Sequence, residues 1–397
     1  MHALSRKIQS IEESQTLALT AKARRLKEAG VDVISLTAGE PDFPTPRHVK
    51  EAAIKAIEAD FTHYTANQGT PDLIQAIVKK FATENKIHFE PGQILVSSGA
   101  KQSIFNALQA ICNKGDEVIV ISPYWVSYPE MVKLVDAVPV IVRTSIETRF
   151  KPDLRAIRRV INQKTKAIII NSPGNPTGAV YSQSEFEDLA RIVKETGIYV
   201  ISDEIYEKVM YDERRHFSIG SGKGMHDHVI TVNGVSKAYA MTGWRIGYMG
   251  GPLPIIEAAA KVQSQVTSNA NSIAQKATIA ALNGPTADID KMVEQFGLRR
   301  DCAMTALRSI PGVVAEQPEG AFYIFFQVKN FYGRKFKQQL IKNSADMSQY
   351  LLDNFHVATV PGYAFGDDTC VRISYACSLS EIEKGTKRIK EGLTALQ

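Results

Sequence analysis

The chain has 397 residues, 44% of them apolar and 22% charged, with 47 basic against 42 acidic side chains and a net charge of +5. Length and composition are those of a globular protein of two to three domains with ample core. So slight a positive excess gives no reason to expect nucleic acid or a membrane surface as partner, though it suits an anionic ligand locally. In chain order, the sequence predicts a helix over roughly Ile11 to Ala29, a strand at Ile94-Ser97, an amphipathic helix over Gln102-Cys112 and a strand at Val118-Ser122. Further strands follow at Ala167-Asn171, Tyr199-Ser202, Val229-Val232 and Ile246-Gly250, with a helix over Ser184-Glu195 between them. Short apolar, beta-branched runs alternating with helices imply an α/β fold with a mostly parallel sheet.

Beyond this sheet a helical segment from Glu257 to Asn283 is expected to leave the first domain. Met292-Arg308 reads as helix, Phe322-Gln327 and Val371-Tyr375 as strands, and Ser380-Leu396 as a closing helix. The pattern divides the chain into a large unit, 46–290, and a small one built from both ends, 1–45 plus 291–397. Gly220-Ser-Gly-Lys-Gly224 lacks the spacing of a phosphate loop and reads as a turn. The basic cluster from Lys329 to Lys342 reads as a solvated face. Cys112, Cys302, Cys370 and Cys377 have no metal-ligand spacing, so no metal is expected, and such sparse usage fits a reducing compartment. The start of the chain lacks the apolar core of a secretory signal, and no run approaches a membrane span. A cytoplasmic location is the expectation.

The most telling segment is Gly234-Val-Ser-Lys237-Ala-Tyr-Ala-Met-Thr-Gly-Trp-Arg245-Ile-Gly247. A lysine among small uncharged neighbours loses its proton easily on burial, and a neutral amine condenses with a carbonyl. Arg245, eight positions on, offers a planar fork of donors to a phosphate. An aldehyde and a phosphate together describe pyridoxal 5'-phosphate. The helix after Ser97 presents the backbone N–H groups of Gly99, Ala100 and Lys101 to such a phosphate, and Ser236 can add a hydroxyl. Asp203, at the end of an apolar strand, is placed either to cap a helix or to face a pyridine nitrogen.

These residues resemble the signature of the class I and II aminotransferases, fold-type I enzymes that use pyridoxal 5'-phosphate. Ser98-Gly-Ala-Lys101, Tyr124-Trp125, Asn171-Ser-Pro-Gly-Asn175-Pro-Thr-Gly178, Ser202-Asp203-Glu-Ile-Tyr206 and Arg372-Ile-Ser-Tyr375 follow in the family's order. Ser35-Leu-Thr-Ala-Gly39-Glu-Pro-Asp-Phe43 and Ser122-Pro-Tyr-Trp125-Val-Ser-Tyr-Pro129 are most similar to the shorter bacterial aspartate aminotransferases, the I-beta kind. The resemblance implies that Lys237 anchors the cofactor and moves the substrate proton. It implies that Asp203 faces the pyridine nitrogen, that Asn175 and Tyr206 bond the phenolic oxygen, and that Trp125 stacks on the ring. Arg372 is implied to grip the substrate α-carboxylate, with the Gly39 backbone close by. Tyr64, a loop aromatic from the residues alone, matches a position that reaches the partner subunit's phosphate, which implies a homodimer with a shared active site.

An amino group would pass between small-molecule amino acids and 2-oxo acids by a ping-pong mechanism. Lys101, helped by Ser14, matches the residues that take a distal carboxylate in the I-beta kind, which favours aspartate with 2-oxoglutarate. Lys101 has the alternative of serving only the phosphate helix. Glu12 stands where relatives that use prephenate tend to carry a basic residue, which weighs against that acceptor. An aromatic or broad-range aminotransferase is the second reading and a lyase that shares Lys237, Asp203 and Arg372 the third. No G-x-G-x-x-G follows the first strand, which disfavours a nicotinamide enzyme.

Overall fold

A computed structural model describes residues 5–12 and 15–397. Seven strands form the central sheet: β1 (Ile94–Ser97), β2 (Glu117–Ser122), β3 (Val138–Arg143), β4 (Thr165–Asn171), β5 (Tyr199–Asp203), β6 (Val229–Gly234) and β7 (Gly247–Gly250). Their spatial order is β1-β7-β6-β5-β4-β2-β3. Only β7 runs against the rest, pairing antiparallel with both β1 and β6. Alternation within each strand explains the layering. Val118, Val120, Ile169 and Ile201 face one apolar cluster, while Ile119, Ile121, Ile168 and Val200 face another on the opposite side. Helices cover both faces, so the strands read as continuous apolar runs.

Sequence reading found six of these strands within a residue or two and did not find β3. That strand pairs only with β2, and Pro139 lies within it. An edge strand tolerates a residue without an N–H, whereas a central one does not, so its sequence carries little strand signal. The Gly220-to-Gly224 segment is a turn that overlaps the end of a short 3-10 stretch, Ile219–Ser221.

The expected helix from Glu257 to Asn283 is corrected by the structure. It is two helices, Leu253–Val266 and Ser272–Asn283, the second capped by Asn271, whose side chain accepts from the Ala274 N–H. Neither leaves the central sheet's neighbourhood. The first is tied down by buried Gln263, whose Oε1 accepts from Ser97 and Asn106 and whose Nε2 donates to the Val96 and Asn67 carbonyls. The second packs on the helices Arg47–Glu58 and Pro71–Lys80. Buried glutamines mid-helix look like solvent-facing residues in sequence, which is why the packing was misjudged. The chain departs instead through the helix Ala287–Arg308.

Met292, Phe296 and Leu307 of that helix enter a second core with Phe322, Phe326, Val371, Ile373, Ile389 and, from near the chain start, Ile34 and Leu36. This core lies on a four-stranded antiparallel sheet in which β9 (Tyr323–Gln327) is flanked by β8 (Val314–Ala315) and β11 (Cys370–Ser374), with β10 (Val360–Pro361) outside β11. The helix Gln15–Glu28 joins it: Ala23 packs with Val33, Leu352 and Ala358. Among the described residues no helix is long and apolar enough to cross a membrane.

Candidate active site

Where the C-terminal ends of β2, β4, β5 and β6 meet the second sheet, a cavity of about 410 Å³ opens. Such strand ends are where open α/β sheets bind ligands. Lys237, Asp203, Tyr206, Asn175, Trp125, Ala100, Lys101, Ser236, Arg245, Gly39 and Arg372 all line it. Two expected residues do not join them, and a third is not among the described residues. Gly99, which precedes Ala100 in the chain, is not itself among the lining residues. Tyr64 is 92% exposed and lies outside the cavity. Ser14 lies outside the described residues.

Lys237 follows β6 and donates from Nζ to the Gly39 carbonyl at 2.6 Å. Burial lowers its ammonium pKa to about 8, with Glu40 opposing and Arg245 assisting. The neutral amine is therefore far more accessible near physiological pH than that of a free lysine. Asp203 ends β5 fully buried, and burial raises its carboxyl to about 6, against the Tyr128 hydrogen bond that lowers it. Tyr128 donates its hydroxyl to Asp203 Oδ2 at 2.6 Å, and the Ile205 N–H reaches Oδ1 at 3.2 Å. The lysine amine and this carboxylate share the cavity wall.

Arg372, on β11, is 1% exposed. Nη1 donates to Asn175 Oδ1 at 3.0 Å and Nη2 to the Thr37 carbonyl at 2.8 Å, while buried Nε finds no partner. The guanidinium lies 4.5 Å from the Tyr323 ring centroid and 5.0 Å from that of Phe365. A buried guanidinium with spare donor capacity and, among the described residues, no carboxylate beside it is suited to an acidic ligand. Asn175 is itself fixed, because its N–H donates to Asn171 Oδ1 at 2.8 Å and Asn171 Nδ2 donates to the Asp203 carbonyl at 2.9 Å.

The expected anion donors need one correction. Gly99 gives its N–H to the Ser97 carbonyl at 2.8 Å, so it has none to offer a ligand. Its part is conformational: φ is +91°, and a Cβ there would collide with the Arg245 guanidinium. Among the described residues the N–H groups of Ala100 and Lys101 have no protein partner, as the first turn of a helix dictates. Arg245 arches over this turn, Nη1 donating to the Thr242 carbonyl at 2.9 Å and Nη2 to the Ser98 carbonyl at 3.4 Å. The Lys101 ammonium sits 4.8 Å from the Trp125 ring centroid. Desolvation at the cavity mouth and the Arg245 charge lower its pKa.

Residues 31–389 match the family described as aminotransferase class I and II. The chain belongs to that family. Its fold-type I architecture is shared with an aspartate aminotransferase from Rhizobium meliloti, TM-score 0.96 and 41% identity over 100% of both chains. An aspartate aminotransferase from Thermus thermophilus, solved with maleate, gives a TM-score of 0.93 at 43% identity, covering 99% of this chain and 100% of its own. A Petunia hybrida protein is 48% identical over 399 residues, covering 99% of this chain and 83% of the relative. That relative is named a bifunctional aspartate aminotransferase and glutamate/aspartate-prephenate aminotransferase.

In this aminotransferase, sequence reasoning passed over Tyr128, Tyr323 and Thr37. Tyr128 lies three residues beyond Trp125 inside a segment already singled out, and the i, i+3 spacing was the available signal. Tyr323 bonds the Tyr206 hydroxyl at 2.8 Å from a strand more than a hundred residues away. Behind Asp203, Asn85 donates to Glu204 Oε2 at 3.0 Å and to Glu207 Oε2 at 2.7 Å. His216 bonds Glu204 at 2.9 Å, and the buried Lys80 ammonium pairs with Glu207. This network brings its own cation and braces the end of β5.

Proposed function

We propose that the cavity holds pyridoxal 5'-phosphate and transfers the amino group of L-aspartate to 2-oxoglutarate, giving oxaloacetate and L-glutamate in a ping-pong sequence. The observation that carries this reading is the meeting of Lys237 and Arg372 in one cavity: an amine depressed to about 8 and a buried guanidinium with an unpartnered Nε. The residues fit the cofactor. Arg245 and the free N–H groups of Ala100 and Lys101 form a cradle that a Cβ at Gly99 or Gly247 would fill, and a phosphate suits a helix start of this kind. Ser236 adds a hydroxyl to the same wall.

When bound, the cofactor supplies an electron sink that makes the substrate Cα proton removable. Asp203 would hold its pyridine nitrogen protonated, Trp125 would cover one ring face, and Asn175 and Tyr206 would bond its phenolic oxygen. Lys237, whose depressed pKa makes the neutral amine accessible near neutral pH, takes the proton from the substrate Cα and returns it during the transfer. Arg372 grips the α-carboxylate in a bidentate pair, and the Gly39 backbone lies beside it. Lys101, over Trp125 at the mouth, supplies the charge for a distal carboxylate. The maleate in the Thermus thermophilus structure, a dicarboxylate, supports this choice of substrate. The Petunia relative's name supports a second acceptor, prephenate.

Tyr64, exposed on its own chain, serves the phosphate of a second copy, so the working unit is a homodimer. The chain divides into units 46–290 and 1–45 plus 291–397, and four free thiols suit the cytoplasm. The test is single-turnover spectroscopy of the cofactor-loaded protein with aspartate, glutamate, phenylalanine or tyrosine, then with 2-oxoglutarate or prephenate. Conversion by aspartate and glutamate alone is expected. Conversion by the aromatic amino acids at similar rates would make the enzyme broad-range, and no visible cofactor band would end the proposal.

A further inference from the structure

Tyr128 occupies an unusual position relative to the two faces read as the cofactor's. It sits in the first turn of the helix Ser127–Leu134 and is almost wholly buried. Its hydroxyl donates to Asp203 Oδ2 at 2.6 Å. Its ring meets the Trp125 indole edge-on, with centroids 5.4 Å apart and planes at 86°. Its backbone N–H donates to the Trp125 carbonyl at 2.9 Å. One side chain thus contacts the residue read as the ring's stacking partner and the residue read as its nitrogen partner.

We propose that Tyr128 is a positioning residue of the transamination site, fixing the Trp125 indole by its ring edge and keeping the Asp203 carboxylate oriented and ionised by its hydroxyl. This rests on the functional reading above for what Asp203 and Trp125 do, but not for the bonds themselves. A carboxylate without water needs donors to stay charged. Asp203 has two, the Tyr128 hydroxyl and the Ile205 N–H, and only the first comes from a side chain. Each carboxylate oxygen keeps a further lone pair for a pyridinium N–H. The charged and titratable groups around Asp203 are Glu204 and Tyr206 on its own segment, Lys237 after β6, and Tyr128. Glu204 works against ionisation and Lys237 for it, so Tyr128 is the neutral donor that tips the balance. Its own pKa is raised well above the ordinary phenol value by burial and by Asp203, so it remains the donor throughout the working pH range.

Tyr128→Phe keeps the ring and its contact with Trp125 and removes only the hydroxyl. In the cofactor-free full chain, the infrared band of the protonated Asp203 carboxyl, identified by its loss in Asp203→Asn, should titrate higher in Tyr128→Phe. Loss of a hydrogen bond to a charged group predicts a rise of about 1–2 pH units. The dissociation constant for pyridoxal 5'-phosphate should rise about tenfold or more. Incorporating 3-fluorotyrosine at position 128 makes a stronger donor without changing the packing. It should move the carboxyl titration downward, and it keeps the test available should Tyr128→Phe fail to fold. A titration that stays at the wild-type pH in either variant overturns the proposal. Wild-type protein that binds no pyridoxal 5'-phosphate would instead overturn the functional reading. The cofactor-free titration would still decide whether Tyr128 controls Asp203.

Discussion

Replacing Lys237 by methionine should make the cofactor-free protein more stable at neutral pH while removing its activity. The Lys237 ammonium falls from 10.5 in water to about 8 in the cavity, chiefly through burial. At 1.36 kcal/mol per pKa unit, holding the charged form in the fold costs about 3 kcal/mol below pH 8. The bond from Nζ to the Gly39 carbonyl is lost in the variant, which returns about 1 kcal/mol. The net expectation is a gain of about 2 kcal/mol at pH 7. The folded protein releases this proton near pH 8, whereas the unfolded chain holds it to 10.5. Wild-type stability therefore rises with pH across that window, and the variant's advantage shrinks as it does. Above about pH 10 the sign reverses, because only the lost hydrogen bond remains. Denaturant unfolding of both proteins without cofactor, followed by circular dichroism at pH 7 and pH 10, measures the difference directly. Turnover, having lost its anchor and base together, should fall by about 10⁴-fold or more. A methionine variant less stable than wild type at pH 7, or an advantage unchanged at pH 10, would refute the account of Lys237 as a desolvated cation.

Arg372→Ala should raise KM about 100-fold for aspartate and phenylalanine alike. Both share the α-carboxylate, and Asn175 Oδ1 and the Thr37 carbonyl lose their donor. A loss confined to aspartate would move Arg372 to the distal carboxylate. Lys101→Ala should weaken aspartate about tenfold more than phenylalanine in steady-state kinetics, whereas equal losses accompanied by weaker cofactor binding would assign Lys101 to the phosphate. Gly247→Ala drives a Cβ into the Ala100 nitrogen and the Gly99 carbonyl carbon, backbone that cannot step aside. Melting and cofactor titration should show stability lower by about 1–3 kcal/mol and weaker cofactor binding together. Unchanged cofactor affinity would detach the helix start from the phosphate.

The central sheet was legible because strands buried on both faces must be apolar throughout, and Ile94–Ser97 or Thr165–Asn171 announce themselves without a partner in view. Val138–Arg143 did not, since an edge position lets it keep Pro139 and Arg143. The helices expected from Ser184 and Ser380 start one residue earlier, at Gln183 and Leu379, where Ser182 with Glu185 and Ser378 with Glu381 form reciprocal capping boxes that the apolar periodicity alone does not show. The break at Thr267 to Asn271 was hidden by a helical pattern that continues on either side. Within the site, residues that carry the chemistry stood out by type and motif. Tyr128, Tyr323 and Thr37 did not, because a tyrosine or threonine gains its role only from the atom it faces. Gly99 shows the reverse limit, since its place was legible but not that its N–H is already bonded to Ser97.

Hydrogen bonds that span the cavity lining include Lys237 to the Gly39 carbonyl, Tyr206 with Tyr323, and Arg372 to Asn175. Each uses at least one group that the proposed chemistry gives to a ligand. A cofactor claiming the Lys237 amine and the Tyr206 hydroxyl, or a carboxylate claiming Arg372, must compete with these bonds. Ligand affinity and the relative placement of the bonded groups are then linked, and each must alter the other by the same free energy. On the proposed reading a cofactor would compete with the first two of these bonds and a substrate carboxylate with the third, so each ligand would have to offer a replacement contact to the wall it frees.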